Sequence, residues 1–208
     1  AVAFDCDGVL ADNGSSWQAI HDGFETENKQ MLAKFIAQEI DDDEFMADDV
    51  AKWMEAKGRI HKDDIARCYG GIRLMPGARE VVGRLQERGI VVAIISSGVD
   101  IFVGMIAAML KVDDWVANGF DWDEDGWMNG PAPSRVLSFD KGIMVDKLMR
   151  INDLSSDQIV SVGDSGSDLS MMIKGSSFIG FNPAGTWSVD AFKEAGVPIV
   201  KSRDLRDI

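Results

Sequence analysis

The sequence predicts an α/β fold, a doubly wound parallel sheet carrying a small helical cap domain. Short apolar runs recur along the chain, Ile90 to Ile95 fully apolar and β-branched, as buried parallel strands require. Helical patterns lie between them, and strand–helix alternation with right-handed crossovers builds such a sheet. One long stretch, residues 15–74, instead reads as helix alone and breaks the alternation.

Val2-Ala3-Phe4 is the first strand and runs directly into Asp5. The helical stretch follows, rich in Met, Trp, Phe and charged residues, and close to the smallest size that packs by itself. Pro76-Gly77 then opens a helix over Ala78 to Arg88, stopped by Gly89. Ile90 to Ile95 is the second strand, and Asp100 caps a helix from Ile101 to Leu110. Phe120 to Met128 places the turn Asp125-Gly126 between aromatics and reads as a β-hairpin, expected to cap an edge of the sheet. A helix over Lys141 to Ile151 precedes the third strand, Ile159 to Val162. Ser167 to Lys174 reads as the next helix, Phe178 to Phe181 as the fourth strand, and Pro198 to Val200 as a fifth. The expected division is a core of residues 1–13 and 76–208 with a cap of residues 14–75 inserted after the first strand.

Composition limits the function. Apolar residues are 46% of the 208, enough for a real core. The net charge of −14 argues against nucleic acid and anionic membranes as partners. It would also repel a phosphorylated ligand, so a phosphate site needs a local cluster of opposite sign, with a divalent cation as its natural source. The acidic run Asp41-Asp42-Asp43-Glu44 reads as solvated surface. Two cysteines, Cys6 and Cys68, fit neither a zinc ribbon nor a disulfide framework. Reduced thiols in a cytoplasmic protein are the simplest reading, with no signal peptide or membrane span visible. A monomer and a homodimer are equally compatible with the sequence.

Four features fall at the carboxyl ends of expected strands, where open α/β sheets bind ligands. Asp5-Cys6-Asp7-Gly8 starts two carboxylates on one side of a strand, where they repel unless a cation or a shared proton compensates. Ser96-Ser97-Gly98 ends a buried strand in hydroxyls and N–H groups suited to phosphate oxygens. Lys141 stands at a helix N-terminus, where the dipole disfavours a cation, so the choice points to function; Lys147 competes with it and looks like surface. Gly163-Asp164-Ser165-Gly166-Ser167-Asp168 brings two acids close together among small residues, as an oxygen-ligated hard cation requires. Asp164 can supply a ligand directly, and Asp168 can either ligate or orient the shell.

In this order the set resembles the four motifs of the haloacid dehalogenase superfamily of phosphohydrolases, on Asp5-Cys6-Asp7-Gly8-Val9-Leu10, Ser96, Lys141, and Gly163-Asp164 with Asp168. The helical insertion is similar to that family's first type of cap. Within the superfamily the chain resembles phosphoserine phosphatases over Val92 to Ile101, Val116-Ala117-Asn118, Lys141-Gly142 and Lys201 to Ile208. Arg67 lies in the segment where those enzymes carry a substrate-binding arginine. Three positions depart: Gly14 stands where an amine-reading Glu is usual, Ser167 where an Asn is common, and Ser97 where Gly is usual.

The resemblance implies a Mg²⁺-dependent hydrolase of a small phosphorylated metabolite, with phosphoserine leading and another phosphomonoester or a sugar phosphate as alternatives. It implies Asp5 as nucleophile and Asp7 as general acid–base. Ser96, Ser97 and Lys141 bind phosphate, Arg67 binds substrate, and Asp5, the Asp7 carbonyl and Asp164 hold the metal. Two rivals come from other classes. A phospho-accepting signalling module uses similar residues, but its acceptor follows the third strand and no helical insertion is present. A phosphate-binding relative that has lost catalysis sits poorly with intact Asp5, Asp7, Lys141 and Asp164.

Overall fold

The computed structural model describes residues 1–208. β1 (Val2–Phe4) is followed by four helices in succession: α1 (Ser16–Phe24), α2 (Lys29–Ile36), α3 (Asp42–Lys57) and α4 (Lys62–Cys68). Alternation then begins with α5 (Ala78–Glu87), β2 (Val92–Val99), α6 (Asp100–Leu110) and β3 (Asp114–Asn118). A hairpin of β4 (Phe120–Trp122) and β5 (Met128–Pro131) interrupts it. The chain ends with α7 (Gly142–Ile151), β6 (Val160–Gly163), β7 (Ser177–Phe181), α8 (Thr186–Glu194) and β8 (Ile199–Val200).

Six strands form one parallel sheet in the order β3-β2-β1-β6-β7-β8. The period of two along each strand divides the core between its faces. Phe4, Ile94 and Val162 pack with the inserted helices and α6, while Ala3, Ala93, Ile95 and Phe178 pack against α7 and α8. Strand order reverses direction at β1, with β2 on one side and β6 on the other. The crevice beyond their carboxyl ends is therefore the place for a ligand. No helix is long and apolar enough to cross a membrane.

The doubly wound sheet matches the reading of the sequence, and the differences have local causes. β3 is a sixth strand that the apolar pattern does not signal. It is an edge strand whose Asp114 and Trp115 are exposed, so it never needed a continuous apolar run. The segment after β6 is a 3₁₀ helix, Gly166–Met171, instead of an α-helix. The Asp168 carboxylate accepts from the Asp164 and Ser165 N–H groups and draws that loop tight.

The acidic run is not merely solvated surface. Asp41 and Glu44 form a capping box at the start of α3. Asp42 is buried and accepts from the Ser138 hydroxyl at 2.6 Å and from its N–H, while Asp43 accepts from the Ser134 N–H at 2.8 Å. These bonds tie α3 to the segment before α7. The hairpin also docks differently from expectation. Instead of capping a sheet edge, it pairs with the inserted segment through Met128 N–H to Ile60 C=O (2.9 Å) and Lys62 N–H to Gly126 C=O (3.0 Å). The Arg59 guanidinium lies over Trp127, 4.3 Å from the ring centre.

Candidate active site

A cleft of about 180 Å³ opens beyond β1, β2 and β6 and is lined by Asp5, Asp7, Ser96, Ser97, Lys141, Asp164 and Asp168. Thus residues far apart in sequence meet because each follows a central strand or begins the helix behind it.

Asp5 leaves β1 with its N–H bonded to the Val162 carbonyl at 2.9 Å, so the sheet itself fixes its position. Lys141, at the N-cap of α7, is 2% exposed. Its Nζ donates to Asp5 Oδ1 at 2.7 Å and to Asp168 Oδ1 at 2.6 Å. The cation that the helix dipole disfavours is held by two buried carboxylates. Asp168 Oδ2 accepts from the N–H groups of Asp164 (3.1 Å) and Ser165 (2.9 Å) and from the Ser165 hydroxyl (2.8 Å). Both Asp168 oxygens are therefore engaged, and the residue positions Lys141 and the acidic loop.

Asp7 is held on both oxygens: Asn13 Nδ2 donates to Oδ1 at 2.5 Å and the Ser16 hydroxyl to Oδ2 at 2.8 Å. Ser16 Oγ in turn accepts from the Val99 N–H at 3.0 Å, so the first turn of α1 is fastened to the end of β2. Ser96 Oγ accepts from the Gly98 N–H at 3.1 Å, and the Trp17 indole donates to the Ser97 carbonyl at 3.0 Å. Gly8 turns the chain at φ +74°, and a Cβ there would run into the Asp164 carboxylate.

Burial pushes the Asp5 carboxyl up to about 7; Lys141 opposes this, while Asp168 and Asp7 add repulsion. Burial also raises Asp7, against the Asn13 and Ser16 donors. Asp164 is raised well above the carboxylate range, first by burial and then by repulsion from Asp168 and Asp5. Burial works against the Lys141 charge, but Asp168 and Asp5 outweigh it and hold the ammonium above its ordinary range.

Four carboxylates thus face one ammonium, and the imbalance calls for another positive charge. Oxygens of Asp5, Asp164 and Asp168 lie within 4.8 Å of one another. Asp164 receives no side-chain hydrogen bond from the protein to offset its burial. An all-oxygen donor set with surplus negative charge fits a small, hard divalent cation.

Arg67 is not brought to the cleft. α4 turns Ile65 inward and Arg67 outward, where its side chain is 74% exposed and paired with Asp64 at 2.6 Å. It lines a separate surface pocket with Lys57 and Arg59. Lys147 is exposed on α7. Gly14 borders the cleft, with nothing within 4 Å of where its Cβ would stand.

Sequence reasoning missed Asn13, Ser16 and Trp17. The pair Ser15-Ser16 before an apolar pattern signals the start of α1, and Ser15 does cap it. Nothing in that pattern shows that Ser16 turns to Asp7. Also missed was a second cavity of about 500 Å³, adjoining the cleft at Trp17 and Ser97 and walled by α1, α2 and α3.

Residues 2–172 match the profile of the haloacid dehalogenase-like hydrolases. The phosphoserine phosphatase of Methanocaldococcus jannaschii is 27% identical over 209 residues, covering the whole of this chain and 94% of that protein. The phosphoserine phosphatase of Archaeoglobus fulgidus is 30% identical over 119 residues, covering 57% of this chain and 34% of that protein. Among solved structures, a phospho-aspartyl intermediate analogue of phosphoserine phosphatase superposes with a TM-score of 0.81 at 26% identity, covering all of this chain and 95% of that one. A substrate-bound phosphoserine phosphatase complex gives 0.77 at 25% identity, with coverage of 100% and 95%. The fold, the cleft at the switch of strand order and the matched span agree: this chain belongs to the haloacid dehalogenase-like hydrolases.

Proposed function

We propose that the protein is a magnesium-dependent phosphomonoester hydrolase working through an aspartyl-phosphate on Asp5, with phosphoserine as its leading substrate. The observation that carries this is the state of Asp5. Lys141 holds its Oδ1, no protein donor engages Oδ2, and Asp7 stands two residues along the same turn.

Asp5 and Asp164 would hold the Mg²⁺ with the backbone carbonyl of Asp7, and Asp168 would orient the loop. Bound there, the cation supplies the positive charge that lets a carboxylate approach a phosphate dianion. Asp5 attacks phosphorus and the P–O bond to the alcohol breaks. Asp7 gives its proton to the departing oxygen, for which its raised proton affinity is suited. Asp7, now ionised, takes a proton from water as that water attacks the aspartyl-phosphate, releasing phosphate and restoring Asp5. Ser96 Oγ, the Ser97 N–H and Lys141 meet the charge on the non-bridging oxygens.

The phosphoserine reading rests on the named relatives. Another small phosphomonoester is the second reading, favoured by Gly14 and by Arg67 facing away from the cleft. Phosphate release from a panel of phosphomonoesters, with and without Mg²⁺, tests the proposal. Metal-dependent release is expected, and no release from any ester would overturn it.

Two variants probe the assigned roles. Asp7→Asn is expected to slow alkyl phosphates by roughly 10²–10⁴-fold. Nitrophenyl phosphate, whose leaving group needs little protonation, should lose less than about tenfold. Equal losses on both would contradict the general-acid role. Gly8→Ala forces a left-handed residue and displaces Asp164, so stability should fall by about 1–2 kcal/mol. The Mg²⁺ concentration for half-maximal activity should rise with it. An unchanged Mg²⁺ titration would dissociate Asp164 from the metal.

A further inference from the structure

The larger cavity has an apolar wall that no part of the protein covers. α2 buries none of its residues, yet Leu32, Phe35 and Ile36 fall three and four apart on one face and all line the cavity. Phe35 stacks on Phe45 of α3 with ring centres 4.7 Å apart and meets Phe139 at 5.6 Å, so the wall is aromatic and held in place. Trp187 on α8 lines the same space from the core, and a Cβ at Gly166 of the acidic loop would strike its ring. Leu32, Ile36 and Trp187 are 40, 50 and 50% exposed, although large apolar side chains gain by burial. An apolar surface left open on both sides of one cavity calls for an apolar ligand.

The cavity is continuous with the catalytic cleft, because Gly14, Trp17, Ser97 and Ser165 line both. Trp17 is fixed at the junction: its indole donates to the Ser97 carbonyl at 3.0 Å and its ring stacks on Trp53 at 5.8 Å. Gly14 keeps the passage open, since nothing stands within 4 Å of where its Cβ would be. The charged groups of the wall are already paired or covered. Lys29 pairs with Glu27 at 2.6 Å, Asp42 accepts from Ser138, and Asp49 is 0% exposed. At about 500 Å³ the space is of the size that encloses a drug-sized molecule, well beyond the needs of a serine.

We infer that this cavity receives the alcohol part of the substrate, and that the protein hydrolyses phosphomonoesters whose alcohol carries an apolar, aromatic body, an activity beyond phosphoserine. The inference rests on the phosphatase reading and adds a substrate class to it. The bonds made and broken are the same: the P–O bond to the alcohol breaks, Asp7 protonates the departing oxygen, and water releases phosphate from Asp5. The added binding comes from the other end of the molecule. The phosphoryl group sits in the polar cleft, the chain passes Gly14 and Trp17, and the apolar body leaves water against Leu32, Phe35, Ile36 and Trp187.

Phenylpropyl phosphate and n-propyl phosphate release primary alcohols of similar acidity, so the ratio of their kcat/KM values isolates the phenyl ring. Burying such a ring is worth a factor of at least about ten, and the wild-type ratio is expected to exceed that in favour of the phenylpropyl ester. Leu32→Asp and Ile36→Asp, both at exposed positions and checked for folding by circular dichroism, should each lower the ratio at least about threefold by placing a charge in the wall. A wild-type ratio below about ten overturns the inference whatever the variants do, and so does a drop of less than about threefold in a folded variant. In either case Mg²⁺-dependent hydrolysis of n-propyl phosphate leaves the phosphatase reading standing. Hydrolysis of neither ester removes that reading and the inference together.

Discussion

Lys141→Met is expected to destabilise the protein by about 3–5 kcal/mol, because it strands two buried carboxylates. Asp5 and Asp168 share the one ammonium at 2.7 and 2.6 Å, and the three side chains are at most 7% exposed. Neither acid has another cation within ion-pairing distance. Urea denaturation of the metal-free protein should register the loss as a lower midpoint with little change in slope. Adding Asp168→Asn should recover part of it, since one of the stranded charges then disappears. Activity should fall as well, by roughly 10²–10³-fold, as a phosphate-facing charge is removed. A midpoint close to wild type would mean that Lys141 does not neutralise these acids.

Asp5→Asn is expected to separate chemistry from folding. The amide keeps the shape and still offers an oxygen to Lys141, while the charge that burial disfavours is gone. Stability should change by less than about 1 kcal/mol. Turnover should drop by roughly four orders of magnitude or more, because an amide is a poor nucleophile and no nearby group replaces it. Matched denaturation curves with lost phosphate release would assign Asp5 to the reaction. Comparable turnover in the two proteins would exclude it as nucleophile.

The central sheet was legible because buried parallel strands need apolar runs, and β1, the first half of β2, and β6 and β7 around Ser161 and Gly180 have them. β3 was not, since an edge strand with an exposed Trp115 is under no such demand. Asp5, Asp7, Lys141, Asp164 and Asp168 could be read from their places at strand ends and from one local misfit, a lysine at a helix start. Asn13, Ser16, Leu32 and Trp187 could not. Each sits in or beside a helix where its residue type is ordinary, and only tertiary packing turns it toward the cleft or the adjoining cavity. Arg67 lies away from the cleft for the converse reason. A motif position locates a residue along α4, but the burial of Ile65 decides which way that helix faces.

The most direct test is to find where the phosphoryl group goes during turnover. Wild-type protein should be mixed with Mg²⁺ and a ³²P-labelled phosphomonoester, quenched in acid within a turnover, and mapped by peptide mass spectrometry. The account predicts one acid-stable, hydroxylamine-labile phosphoryl group on Asp5, absent from Asp5→Asn. Rapid phosphate release with no label on the protein, or label on any residue other than Asp5, would contradict it.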